Sequence, residues 1–451
     1  MKSKIKFLNL STAIVGLIIL TSLNAAFAQR IFRSTSDSIR HRKLMNEISV
    51  DIKNNRNSYN DDLYRLAESL VVKDIPSYEE GKYVFHNELL ASNRRDTITR
   101  IGLYNIPVKQ IPKEVFECKN LIELDISACR IKKLPKSLNA LKHLERVAIN
   151  KTSARKIRLR MGANRSLKRV DISYNRVRKI PKGLRSFKSL TDLNISGNRI
   201  KKLPRFLSEC ISLESINLSY NKMRTIDIKS EANTAVKSLN MSHNKLRDLP
   251  SGLSSFPNLE ELNLSYNQVA EISQDIPTKR LLFLSLYSNK LDHIPQKICE
   301  LSTLRTLDLG FNKIEIVSAC ISKLENLVTF SVSNNNVINV PDQINKLERL
   351  ENLYLESNRL ANLPKSLPGV RLLKLHLEFN QLQNFPTGLN KLTELEELYI
   401  NNNLINTIPQ EILELHNLTI VRFDANLIEL DTERVRTIVA GMKEKHVHVR
   451  Y

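Results

Sequence analysis

Aromatic side chains recur in this chain directly before regularly spaced asparagines. The triplet Ser-Tyr-Asn occurs at 173–175, 219–221 and 265–267. The aromatic and histidine residues that we predict to bind a ligand are Tyr174, Tyr220, His243, Tyr266, Tyr287, Phe311, Tyr354, His376, Phe379 and Tyr399. Exposed rings flanked by small hydrogen-bonding groups bury contact area at a low entropic cost, which favours a binding face. The alternative is that each ring only packs against the equivalent ring of the next segment.

Basic side chains recur a few residues after the same asparagines. The chain has 451 residues, with 69 Lys and Arg against 47 Asp and Glu and a formal net charge of +22. Residues 1–250 have a formal charge of +26, whereas residues 251–451 have one of −4. The cations that we group as the basic rim are Arg176, Arg178, Lys179, Arg199, Lys201, Lys202, Lys222 and Arg224. Such a row suits an anionic partner, although surface cations also serve solubility alone.

The sequence lacks the common catalytic motifs. It has no His-x-x-x-His pair beside a glutamate, no Gly-x-Ser-x-Gly elbow, no phosphate-binding glycine loop and no paired-cysteine metal site. With only 11 glycines, the chain has few of the residues that mobile active-site loops use. We therefore predict a protein that is not an enzyme and has no catalytic residues, metal ions or cofactors.

The N-terminus has the pattern of an export signal. Three lysines within residues 1–6 precede an apolar run at 13–20, and Ala26-Phe27-Ala28 follows as a small-x-small cleavage site. This pattern predicts a signal peptide over residues 1–28, because the apolar run is short for a membrane-spanning anchor, which is the alternative. We expect the mature protein to lie in the periplasm, at the cell surface or outside the cell.

The elements that position these side chains are internal repeats. The pattern LxxLxLxxN, as in the segments starting at Leu190, Leu213 and Leu259, recurs at intervals of 23 and occasionally 22 residues. Fifteen units start at residues 98, 121, 144, 167, 190, 213, 236, 259, 281, 304, 327, 350, 372, 395 and 418. Apolar residues that alternate with polar ones, such as Leu193 and Ile195, predict a short strand with one buried face. Strands of successive units are expected to pair in parallel.

Each unit continues with an asparagine and, in most units, a proline. The asparagine slot is filled in twelve consecutive units, by Asn175, Asn198, Asn221, Asn244, Asn267, Asn289, Asn312, Asn335, Asn358, Asn380, Asn403 and Asn426. A buried amide both donates and accepts, so this ladder is predicted to satisfy backbone groups where the chain turns. Prolines such as Pro181 and Pro204 predict a return limb that starts as extended or 3₁₀ chain. The unit at 144 departs from the pattern, with Thr152 in the asparagine slot.

These residues resemble the leucine-rich-repeat family in its short bacterial form, in which an LPxxLxxL limb follows the strand. The resemblance implies an α/β solenoid, a right-handed superhelix or horseshoe with a parallel β-sheet on the concave face and short 3₁₀, helical or extended convex limbs. It also implies that ligands bind the concave face. We predict a mainly helical N-terminal cap over 29–97, a repeat domain of about fifteen units over 98–440 and a C-terminal tail or cap over 441–451. No cysteine-rich cap is present, which favours a bacterial source.

The five cysteines fit the repeat without a disulfide framework. Cys118 and Cys210 occupy core leucine slots, and Cys129 occupies an asparagine slot. Cys299 and Cys320 fall on the convex side of adjacent units, where pairing is conceivable. The odd count and the absence of clustered spacing argue against a bond.

The leading functional hypothesis is a bacterial envelope or secreted protein that binds a protein or peptide on its concave face. One alternative is a polyanion or surface-glycan adhesin that uses the basic rim, with an anionic glycan or a membrane surface as its partner. Another is a periplasmic structural scaffold. Export makes nucleic acid a disfavoured partner, and a monomer is the favoured oligomeric state.

Overall fold

The computed structural model describes residues 84–85, 89–90 and 92–451, with gaps at 132–139, 153, 156, 158–165, 205–206, 208–209, 225–234, 274–275, 277–278, 366 and 368–370. Residues Tyr83–Tyr451 form one compact unit. Within the described residues, one parallel sheet of 17 strands runs the length of this unit. Strands β1 to β17 are Val84–Phe85, Arg100–Tyr104, Glu123–Ser127, Arg146–Asn150, Arg169–Asp171, Asp192–Asn194, Ser215–Asn217, Ser238–Asn240, Glu261–Asn263, Phe283–Ser285, Thr306–Asp308, Thr329–Ser331, Asn352–Tyr354, Lys374–His376, Glu397–Tyr399, Ile420–Arg422 and His448–Arg450.

Each strand pairs with the next one along the chain, so the sheet grows by one strand per repeat. The register matches equivalent positions; Leu193 of β6, for example, lies opposite Ile216 of β7. Along a strand the inward-facing residues Leu193 and Ile195 are buried, while Asn194 between them is partly exposed. The alternation of the sequence therefore produces a solenoid with a continuous core, as predicted.

The asparagine ladder joins neighbouring repeats through side-chain hydrogen bonds. In Asn198, Nδ2 donates to the carbonyls of Ile195 and Ser196 in its own repeat and to that of Ile172 in the preceding one. Its Oδ1 accepts the backbone N–H of Val177, 2.9 Å away. The other ladder amides repeat this pattern with three to five backbone partners each, where the chain leaves the sheet, which confirms the predicted role.

The irregular unit at 144 depends on its neighbour for the same interaction. Thr152 fills the asparagine slot, and both its backbone N–H and its Oγ1 donate to Oδ1 of Asn175 in the next repeat. In the unit before it, Cys129 is buried, and its thiol donates to the carbonyls of Leu103 and Ser127. Both substitutes are short side chains that reach only part of what an asparagine reaches.

The return limbs begin extended and turn into single 3₁₀ helices, as the prolines predicted. Pro112, Pro181, Pro295, Pro341 and Pro409 each cap such a helix with an extended ψ. The described 3₁₀ helices are Arg95–Thr97, Lys113–Glu117, Lys182–Ser186, Leu253–Ser255, Gln296–Glu300, Ala319–Lys323, Asp342–Lys346, Leu389–Lys391 and Gln410–Glu414.

The C-terminal end of the solenoid is closed by one α-helix, α1 (Glu433–Glu444), capped by Thr432. Val435, Ile438 and Val439, whose spacing in the sequence places them on one face of a helix, are buried and close the core. The predicted boundary at 440/441 falls inside this helix, and β17 then adds a final strand to the sheet. Within the described ranges, no helix combines the length and apolar character needed to traverse a lipid bilayer.

At the N-terminal end, the sheet starts one strand before the predicted first repeat, because β1 pairs with β2. The predicted signal peptide and most of the predicted cap over 29–97 lie outside the described residues.

The expectation that Cys299 and Cys320 are unpaired is wrong. The two residues lie on the 3₁₀ helices of adjacent repeats, with their Cα atoms 5.7 Å apart, and form a disulfide. A pair separated by one repeat needs no clustered spacing, because the solenoid itself brings equivalent convex positions together. Cys118, Cys129 and Cys210 are buried thiols that take no part in this disulfide, as expected for structural cysteines.

Replacing Asn244 by alanine is expected to lower the free energy of unfolding by about 3 kcal/mol, because the buried groups that it contacts, including the N–H of Met223 and the carbonyl of Leu218, lose their partner. Urea titration measures the change. As the control, Asn339→Ala removes an exposed asparagine side chain and should cost less than about 0.5 kcal/mol. Equal effects of the two substitutions would contradict the structural role of the ladder.

Candidate ligand-binding face

The residue before each ladder asparagine adopts the left-handed conformation, and this slot holds most of the predicted aromatics. We call Tyr174, Tyr220, His243, Tyr266, Tyr287 and Phe311 the aromatic row; all except Tyr287 occupy this slot, with φ between 50° and 54°. Such a backbone costs a residue other than glycine about 1–3 kcal/mol. Gly197 fills the same slot without this cost. Sequence reasoning missed the conformation, although a glycine in the slot was the available signal.

Rings of the aromatic row contact one another across successive repeats. His243 is sandwiched between Tyr220 and Tyr266, with ring centroids 3.9 and 4.1 Å apart and the planes within 12° of parallel. Tyr287 then makes tilted contacts with Tyr266 at 5.4 Å and Phe311 at 5.0 Å. The alternative interpretation of the sequence, in which the rings pack on their neighbours, therefore also describes the molecule.

Two glycines make room for rings of the aromatic row. A Cβ atom on Gly197 would lie 2.7 Å from Cδ1 of Tyr174, so that ring leans over the glycine. A Cβ atom on Gly310 would lie 3.0 Å from Cδ2 of Tyr287. Tyr287 stands two residues before its asparagine rather than one, so its ring comes from the adjacent column of the face.

Exposure divides the predicted aromatic residues into two groups. Tyr174, Tyr220, Phe311 and Phe379 are 47%, 40%, 38% and 55% exposed, and His243, Tyr266 and Tyr287 are partly exposed. Phe379 has the same left-handed slot, with φ of 57°, but small neighbours in the adjoining repeats. These seven residues present aromatic surface to solvent on one side of the repeats.

The expectation that Tyr354, His376 and Tyr399 are exposed is wrong. They stand four residues before their asparagines, at the last position of their strands, and all three are buried. The His376 ring lies 4.9 Å from that of Tyr354 and 4.5 Å from that of Tyr399, and the Arg422 guanidinium lies over Tyr399 at 5.7 Å. Rings on directly paired strands cover one another, which removes them from solvent.

Charged groups surround this buried trio. Nδ1 of His376 lies 3.5 Å from a carboxylate oxygen of Glu378, and Nζ of Lys374 lies 3.2 Å from one of Glu397. Glu356 is also buried in this part of the face. The middle of the C-terminal repeats is thus a packed ionic and aromatic layer rather than an open surface.

The small polar residues beside the aromatic row have a mainly structural role. Oδ1 of Asn194, Asn217, Asn240 and Asn263 accepts the N–H of the serine two residues further on. These serines are buried, so the small hydrogen-bonding groups that flank the rings in the sequence are not all exposed. The asparagines remain partly exposed and fix the backbone that leads into the left-handed slot.

Burial keeps the aromatic row uncharged at neutral pH. It lowers the pKa of His243 to about 4, because the two flanking rings exclude water from the imidazole. Burial also raises the pKa of Tyr220 to about 12. The row therefore presents neutral rings and hydroxyl groups over the physiological pH range.

All eight residues of the basic rim are exposed. The rim follows the ladder asparagines, while the aromatic row precedes them, so the two surfaces lie on opposite sides of the ladder. Within the described part of the chain, no three His, Cys, Asp or Glu side chains are grouped so that they could hold a metal ion.

Asp308, the last residue of β11, is a fully buried carboxyl, and burial raises its pKa from 3.8 to about 6. The folded state therefore holds this proton more tightly than the unfolded state, so the free energy of unfolding falls as the pH rises from about 4 to about 6. Asp308→Asn keeps an acceptor for the Gly310 N–H and has no charge to desolvate. We expect the free energy of unfolding of this variant to exceed that of the wild type by up to about 3 kcal/mol at pH 7 and to be similar to it at pH 4. Urea titrations at both pH values test this; a gain of equal size at both would contradict the burial argument.

Known proteins share this architecture. The family model described as leucine-rich repeat region matches residues 99–278 and 235–354, together more than half of the chain. A leucine-rich-repeat protein of Leptospira interrogans superimposes with a TM-score of 0.69 at 24% identity, covering 82% of this chain and 100% of that chain. An internalin of Listeria monocytogenes gives 0.50 at 20% identity, covering 75% and 88%. A plant peptide hormone receptor gives 0.54 at 25% identity, covering 73% and 55%.

The sequence matches none of the curated proteins. The repeats, the asparagine ladder and the open parallel sheet agree with the family match and with the bacterial structures. The fold is a generally non-enzymatic one that suggests protein–protein interaction. The chain belongs to the leucine-rich-repeat family.

Proposed function

We propose that this protein is an exported, non-enzymatic binding protein that holds a protein or peptide against the aromatic row. The observation that carries this proposal is the exposure of Tyr174, Tyr220 and Phe311 at a backbone slot that disfavours them. A glycine, as at Gly197, avoids the conformational cost, and a small polar residue avoids exposing an apolar ring. Ligand binding supplies a reason to keep aromatic residues there.

The stacking favours a peptide over a glycan. The faces of the His243 ring are covered by Tyr220 and Tyr266, so a ligand meets ring edges and hydroxyl groups. Sugars pack best on open ring faces, whereas a peptide combines apolar side chains with backbone groups that hydrogen-bond to hydroxyls. Phe379 lies further along and would contact a longer ligand.

The similar structures agree with a peptide or protein ligand. The plant receptor was solved in complex with a peptide hormone, and the fold there is shared at 25% identity. The internalin and the Leptospira protein support a bacterial setting. Buried tyrosine and histidine rings in the C-terminal repeats would support the sheet rather than touch the ligand.

Panning a phage-displayed peptide library on residues 29–451 tests the binding face. Tyr220→Ala with Tyr266→Ala is expected to weaken the selected peptides at least about tenfold, because aromatic anchors typically contribute 1–2 kcal/mol each. Tyr451→Ala, which removes a 47% exposed tyrosine at the far end, is the matched control and should leave binding unchanged. Peptides that bind the double variant as tightly as the wild type would contradict the assignment.

Export is supported by the N-terminal pattern, and the disulfide between Cys299 and Cys320 suits an oxidising compartment. Expression of the full chain in a Gram-negative bacterium should yield a protein that begins at Gln29 in the periplasm or medium, as measured by intact mass and N-terminal sequencing. Ala28→Leu should block processing because the cleavage site requires a small residue. A cytoplasmic chain that keeps residues 1–28 would contradict export.

A further inference from the structure

The rim on the far side of the asparagine ladder carries cations in two aligned columns. The inner rim column is one residue after the ladder asparagine, and the outer rim column is three residues after it. The inner rim column consists of Arg176, Arg199, Lys222 and Lys245, and the outer rim column of Arg178, Lys201, Arg224 and Arg247. All eight side chains are exposed, and none forms an ion pair with another described residue.

Backbone hydrogen bonds hold these columns in register. The N–H of Arg199 donates to the carbonyl of Val177 at 2.8 Å, and that of Lys222 donates to the carbonyl of Ile200 at 2.9 Å. The same bond recurs at Arg176 and Lys245. Successive cations of a column are therefore separated by about one interstrand distance, ~4.8 Å.

An aligned row of cations lowers the stability of the protein when no anion neutralises it. Two cations about 5 Å apart repel each other even in water. A surface that serves solubility alone mixes both signs. In this rim the two signs mix only later in the chain. There the outer column continues with Ala270, Asp292 and Glu315, while the inner column has Lys290 and Lys313. In the preceding repeat Ser153 interrupts the inner column, although Arg155 extends the outer column. The continuous surface that is two cations wide therefore spans four repeats.

The surroundings of the two columns argue against two classes of partner, a lipid surface and a single-stranded nucleic acid. Val177, Ile200, Met223 and Leu246 are buried, so no apolar side chain stands between the cations to insert into a lipid surface. A single-stranded nucleic acid needs open aromatic faces for its bases, and those of His243 are covered. A narrow row two cations wide, repeating every ~4.8 Å, instead suits an extended polymer with regularly spaced anionic groups.

We propose that the two rim columns bind a linear acidic polysaccharide with one carboxylate per sugar residue, laid along the four repeats. Guanidinium groups of Arg176, Arg178 and Arg199 pair with the carboxylates, and the lysines add point charges. The polymer leaves the rim where Asp292 reverses the charge of the outer column. This surface is separate from the aromatic row and does not depend on a peptide ligand.

Oligogalacturonates of two to eight sugars, titrated against residues 29–451 by calorimetry, test the proposal. Affinity is expected to rise steeply up to four or five sugars and then to flatten, because four consecutive repeats carry a cation in both columns. The affinity is also expected to fall as the salt concentration is raised from about 50 to about 200 mM, because counterions screen exposed charges increasingly over this range. Affinity that depends only on total charge, with no break in the length series, would overturn the proposed footprint.

Matched variants separate this site from net charge. Replacing the outer rim column, Arg178, Lys201, Arg224 and Arg247, by glutamine should weaken a five-sugar oligomer at least tenfold. Replacing four other exposed cations, Lys290, Lys313, Lys323 and Arg359, by glutamine removes the same charge and should change the affinity less than threefold. Equal losses in the two variants would overturn the site.

Two further probes test the class of partner, and one variant tests whether polysaccharide binding is independent of the aromatic row. A single-stranded oligonucleotide of equal charge and vesicles of phosphatidylglycerol are expected to bind more weakly than the five-sugar oligomer; tighter binding of either would overturn the polysaccharide assignment. Tyr220→Ala with Tyr266→Ala should leave the oligomer bound. Loss of the oligomer in that variant would contradict two separate surfaces.

Discussion

Everything else in this molecule depends on the hydrogen bonds that each ladder asparagine makes to the backbone of two repeats. A 22- or 23-residue unit cannot bury its apolar face alone, and parallel strands only three residues long offer few bonds between units. The amide adds four bonds per repeat at the point where the chain turns away from the sheet, as in Asn198. Without it, buried carbonyls and N–H groups on both sides of the turn would lack partners.

The same constraint sets where the two surfaces lie. The residue before the asparagine must be left-handed, and the residue after it must pair with the preceding repeat. The side chains at both places are free to vary, because their backbone atoms alone meet the requirement. Tyr220 and Lys222, on either side of Asn221, illustrate how one rung positions an aromatic group and a cation at a fixed repeat spacing.

Much of the fold was predictable because it repeats. The strand register, the buried asparagines, the 3₁₀ limbs after prolines and the core-closing residues of α1 all follow from patterns that recur or alternate in the sequence. Features that depend on contacts between repeats were harder to predict. The burial of His376 requires knowing that rings on adjacent strands cover one another, and the bond between Cys299 and Cys320 requires knowing which convex positions meet.

Hydrogen exchange of the amides that donate to the ladder tests the central claim most directly. The N–H groups of Val177, Ile200, Met223 and Leu246 each donate to an asparagine Oδ1. If the ladder holds the repeats together, these amides exchange only through unfolding of the repeat array, among the slowest in the chain. Exchange at rates near those of unprotected amides, with the array still folded, would contradict the account.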